Sequence, residues 1–130
     1  EHQEAGMIGM VGTEHLDQNA VMWKGVRCGA VYKASEEVYE QEEIDGNHRI
    51  YDCEAVDGFM MATRTDIRWR EDLFDGFDFY DISQSFEYRQ AGWKVIVPEQ
   101  KFPWCVHDDG NMLSLFHYNH YRKIFIRNYL

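Results

Sequence analysis

The chain has 130 residues, 45% of them apolar and 15% aromatic, and 23 acids against 13 bases leave a formal net charge of −10. That length fits one domain with a real core, and the aromatic content excludes a disordered chain. The charge argues against a nucleic-acid binder, which needs clustered Lys and Arg, and no apolar run reaches the roughly 18 residues of a membrane-spanning helix.

The chain opens at Glu1 with neither an initiator Met nor a signal peptide, so it is expected to be processed or excised from something longer. Met7 to Val11, flanked by Gly6 and Gly12, predicts a buried strand. Val21-Met22-Trp23 and Val26 to Tyr32 predict further short strands around Gly25. Glu36, Glu37, Glu40, Glu42, Glu43 and Asp45, with no base among them, predict a solvated acidic excursion over 36–48 that ends near the Gly46-Asn47 turn signal. The run lacks the alternating ligands of a calcium loop. Arg49 to Val56 and Phe59 to Thr63 predict extended pieces on either side of Asp57-Gly58, and Asp66 to Leu73 a short helix.

The clearest helix follows. Asp78 is expected to cap it, Phe79, Ile82 and Phe86 to line one side, and Gly92 to stop it. Trp93 to Val97 predicts a strand ended by Pro98, and Trp104-Cys105-Val106 a further extended piece. A closing helix is expected over about 111–129, with Leu113, Phe116, His117, His120 and Ile124 on one face and three late bases, Arg122, Lys123 and Arg127. Strands, helix, strand, helix make the chain α/β (or α+β), as one domain over 1–130. Cys28, Cys53 and Cys105 are odd in number, far apart and without a CxxC pair. They read as free thiols in a reducing cytoplasm rather than as a disulfide framework or a zinc site.

No Gly-rich phosphate loop, GxSxG elbow or HExxH is present. Three clusters remain. Phe77-Asp78-Phe79-Tyr80-Asp81 puts a carboxylate in the first turn of a helix, where free N–H groups and the dipole favour ionised Asp81. That suits a general base, although Asp78 and Asp81 also read as capping residues. Trp104-Cys105-Val106-His107-Asp108-Asp109-Gly110 offers a His after a strand, as a metal ligand or an ordinary surface His. In Val56-Asp57-Gly58-Phe59-Met60, Gly58 lets a ligand approach the backbone closely.

In this order VDGFMMATR, LFDGFDFYDISQSFEYRQAGWKVIVPE and WCVHDDG resemble the C-terminal half of a family-2 glycosyltransferase of the GT-A fold. MIGMVGT and VMWKG extend the resemblance over positions 6 to about 110, and it is nearest to a short bacterial branch whose base motif reads FYD. The resemblance implies a partial GT-A-like mixed sheet with flanking helices. It makes Asp81 the catalytic base, which deprotonates an acceptor hydroxyl as that oxygen attacks the anomeric carbon of a nucleotide-sugar. Asp57 and Gly58 match the acceptor-side turn, Tyr80 and Trp104 join them as substrate-binding residues, and His107 matches a metal-associated His. Tyr80 stands where the commoner motif has Glu, Ser83 where a second acid often follows, and Glu87 where Arg is frequent.

The family's N-terminal portion supplies the nucleotide-binding strands and the DxD-type acids, and this chain has no D-x-D. The resemblance therefore implies the acceptor-side portion of a cytoplasmic enzyme that uses Mg²⁺ or Mn²⁺ when complete and is inactive without its other half. Two alternatives stand beside it. One is a carbohydrate-binding module whose Trp23, Trp69, Trp93 and Trp104 stack on sugars or simply fill the core. The other is an acidic domain that self-associates into a homo-oligomer through an exposed sheet edge.

Overall fold

The computed structural model describes residues 2–33, 36–39, 49–108 and 114–130. In chain order the first strands are β1 (Ala5–Gly9), β2 (Val11–Thr13), β3 (Arg27–Lys33) and β4 (Glu36–Tyr39). They are followed by β5 (Tyr51–Cys53), β6 (Ala55–Val56) and β7 (Met61–Thr63). Helix α1 (Tyr80–Gln90), β8 (Lys94–Val97), β9 (Val106–His107) and helix α2 (Leu115–Tyr129) complete the described elements. The fold is mixed α/β, as the element order predicts.

Two mixed sheets result. One has the order β5-β8-β1-β7, with β1 parallel to β8 and the other neighbours antiparallel. The second runs β4-β3-β2-β6, antiparallel throughout, and β9 adds to β3 in parallel. The apolar run Met7 to Val11 is thus not one strand, because the chain breaks at Met10 and passes from the first sheet to the second. Such a break leaves a buried carbonyl to satisfy, and the side-chain amide of buried Gln100 donates to Met10 O at 2.8 Å. Arg49 to Val56 behaves likewise: it divides at Glu54 into β5 of the first sheet and β6 of the second.

Other expectations change for local reasons. Val21-Met22-Trp23 is not a strand. Met22–Lys24 form a 3-10 turn closed by Lys24 N–H to Val21 O and Gly25 N–H to Met22 O, which buries Met22 and leaves Trp23 exposed. Asp66 to Leu73 is not a helix, because α1 claims its neighbouring carbonyls: Tyr88 Oη donates to Thr65 O, and Gln84 Nε2 to Ile67 O at 2.6 Å. The first part of the acidic segment is β4, antiparallel to β3, and positions 40–48 lie outside the described residues.

Helix α1 is not capped by Asp78. Phe79 holds the cap position in the left-handed region (φ 67°), with no side-chain cap bond. Its ring instead enters the core, 4.9 Å from Tyr118 and 5.5 Å from Phe125. At the far end Gly92 (φ 89°) does stop the helix. Gly92 N–H reaches Arg89 O and Trp93 N–H reaches Tyr88 O, the paired bonds of a Schellman motif.

The buried face of α2 also differs from the expected one. Tyr118 and Phe125 are buried with Tyr121, Ile124 and Tyr129 beside them, whereas Phe116 is 82% exposed and His117 and His120 face solvent. Leu113 lies outside the described residues. One core cluster joins Leu16, Ala20, Met22, Phe74, Phe79, Ile82, Tyr118 and Phe125. A second joins Met7, Cys28, Tyr51, Cys53, Val56, Tyr88, Val95 and Val97. No described helix is long and apolar enough to cross a membrane.

Candidate functional site

The turn after β6 and the N-terminus of α1 meet. Asp57 N–H donates to Val11 O at 2.8 Å, which fixes the turn to β2, and Asp57 Oδ1 accepts the Phe59 N–H at 3.1 Å. This Asx-type bond turns the backbone so that Gly58 N–H donates to Asp81 Oδ2 at 2.8 Å. The other oxygen, Oδ1, accepts Ile82 N–H at 2.8 Å within the first turn of α1. Farther along that helix Ser85 Oγ donates to Asp81 O and accepts Val56 N–H, which holds α1 against β6.

Tyr80 closes over the turn. A Cβ built on Gly58 would stand 2.2 Å from the Tyr80 hydroxyl oxygen, so the close approach requires glycine. The Tyr80 ring lies 6.1 Å from Trp69 and 5.9 Å from Phe77, both exposed, so aromatic rings gather around Tyr80. On the far side of the turn Phe59 stacks on His107 at 4.8 Å and 20°.

The electrostatics differ from what first-turn placement alone implies. Burial pushes the Asp81 carboxyl up to about 7, and the nearby charge of Asp57 pushes the same way. The N–H groups of Ile82 and Gly58 pull it down without winning. Burial, then Asp81 and Asp57, push the Tyr80 hydroxyl up to about 12, so it stays an O–H donor. Burial also raises Asp78.

Of the residues singled out in sequence, Asp57, Gly58, Tyr80 and Asp81 therefore come together, and His107 joins them through Phe59. Trp104 stands exposed in the segment before β9. Phe59 and Phe77 lie inside the two sequence clusters without a role of their own there, and Trp69, expected only as a sugar-stacking residue of a binding module, joins Phe77 beside Tyr80. Among the described residues no group of three His, Cys, Asp or Glu could hold a metal ion, and Asp109 lies outside them.

Residues 1–129 match a known protein family, the glycosyltransferase-like family. The chain belongs to it. No curated protein and no solved structure matches. Within this glycosyltransferase-related domain the Gly58–Tyr80 contact gives a first prediction. Gly58→Ala should cost about 1–3 kcal/mol by overpacking, and much less when Tyr80 is also Ala, because the clash is with that ring. Denaturant midpoints of the two single variants and the double variant measure the coupling, and additive losses would contradict the contact.

Proposed function

We propose that this domain is the acceptor-side portion of a nucleotide-sugar-dependent glycosyltransferase of GT-A type, with Asp81 as its general base. The supporting observation is one carboxylate, half-buried, raised to about 7 and held at a backbone turn by two N–H groups. A base with that affinity for a proton is matched to neutral pH. The acceptor hydroxyl donates to Asp81. As its oxygen bonds to the anomeric carbon, the proton passes to the carboxylate. The bond from that carbon to the diphosphate oxygen breaks, and the nucleoside diphosphate leaves with the electron pair. Tyr80, a neutral donor beside Gly58, orients the acceptor, and Asp57 holds the turn.

The donor and any divalent cation belong to a nucleotide-binding half, to which His107 contributes at most one ligand. The deciding experiment reads the gene immediately upstream of Glu1 and assays the encoded polypeptide for nucleoside diphosphate release from a panel of nucleotide-sugars. An early βαβ unit with a D-x-D, and release that depends on an added acceptor, are expected. A reading frame without such a unit, or one that never releases nucleotide, would overturn the proposal.

A further inference from the structure

The sequence places Cys28 and Cys53 far apart and reads them as unrelated thiols, but the fold brings them together. Cys28 lies on β3 of the second sheet and Cys53 on β5 of the first. Their Sγ atoms are 3.3 Å apart, both residues are buried, and one thiol donates to the other. Gly12 makes the approach feasible. It pairs with Cys28 in register on β2, and a Cβ there would stand 3.3 Å from Cys53 Sγ and 2.6 Å from Ala55 O. The missing side chain leaves room beside the Cys53 sulfur.

We propose that Cys28 and Cys53 form a redox modification site that closes into an intramolecular disulfide linking the two sheets. The sulfurs need to approach by only about 1.3 Å to reach bonding distance, a shift within reach of side-chain rotation. The co-reactant is a small-molecule disulfide. One protein thiolate attacks a sulfur of it and expels one thiolate of the reagent, and the second protein thiolate then attacks the mixed disulfide and expels the other. Two protein thiols become one disulfide, and two electrons and two protons pass to the reagent as two thiols. Access comes through β5, a three-residue strand at the edge of its sheet, whose opening exposes Cys53.

The product is a clamp. The bond would close a loop across a 25-residue separation and restrict the unfolded chain. It would also tie down the segment that runs from the end of β5 at Cys53 through β6 (Ala55–Val56) into the Asp57-Gly58 turn.

The experiment incubates the chain with oxidised glutathione at alkaline pH, alkylates the remaining thiols under denaturing conditions and maps the peptides. A cross-linked pair carrying Cys28 and Cys53 is expected, with Cys105 alkylated. The expected Tm rises by about 5–10 °C and falls back with dithiothreitol. Cys28→Ser and Cys53→Ser should each abolish both the linked peptide and the Tm rise. Recovery of Cys28 and Cys53 as alkylated thiols, as unlinked glutathione adducts or bonded to Cys105 would overturn the proposal, and the wild-type peptide map decides it without any variant.

Discussion

With Asp81 as the proposed general base, Asp81→Asn should lower glycosyl transfer about 10²–10⁴-fold, the range typical of losing such a group. The same change should make the fold more stable at neutral and alkaline pH. A carboxyl raised to about 7 binds its proton more tightly folded than unfolded. Stability is therefore lost as pH climbs from the ordinary carboxylate value to about 7, and the loss is complete above it. Asn carries no such penalty. Asp81 keeps some contact with solvent, and the amide can accept only one of the two N–H groups that now meet the carboxylate. The gain is accordingly set at about 2 kcal/mol rather than the full shift. Denaturant melts at about pH 4 and about pH 8 separate the cases: wild type and variant should converge at the lower pH and diverge at the higher. A variant destabilised at both would mean that Asp81 is a structural cap.

The largest loss of stability is expected from Phe125→Ala. Phe125 is fully buried, with ring centres 4.9 Å from Tyr129, 5.1 Å from Phe86 and 5.5 Å from Phe79. Truncation removes a central contact of α2 with α1 and with the left-handed cap at Phe79, and leaves a cavity, at a cost of about 3–5 kcal/mol. Phe116→Ala on the same helix should change stability by less than about 0.5 kcal/mol, since that ring is in solvent. Equal losses in the two variants would contradict the observed helix face.

That contrast shows where sequence reasoning reaches and where it stops. Helix α1, its Gly92 stop, β3 and β8 are legible because local patterning and punctuation set them. The face of α2 is not. Aromatic residues fall on both sides of it, and only the position of Phe79 and Phe86 selects Tyr118 and Phe125. The sheet switches at Met10 and Glu54 are equally hidden, because their compensation comes from elsewhere, as with Gln100 at Met10. At the site, motif order brings Asp57, Gly58, Tyr80 and Asp81 into view. The electrostatic reasoning from helix position has the wrong balance: first-turn N–H groups favour ionisation, yet burial and Asp57 outweigh them. The Cys28–Cys53 approach depends on a sheet crossing and on Gly12, and spacing along the chain shows neither.

Asp81 is a half-buried carboxyl, and its proton exchange near neutral pH carries the proposed chemistry. Carbon-13 NMR of the side-chain carboxyls, with Asp57→Asn used to identify the coupled neighbour, follows that titration directly in this chain. A midpoint near 7, moving down when Asp57 loses its charge, is the predicted result. A midpoint at the ordinary carboxylate value of about 4, unmoved by Asp57→Asn, would contradict the account.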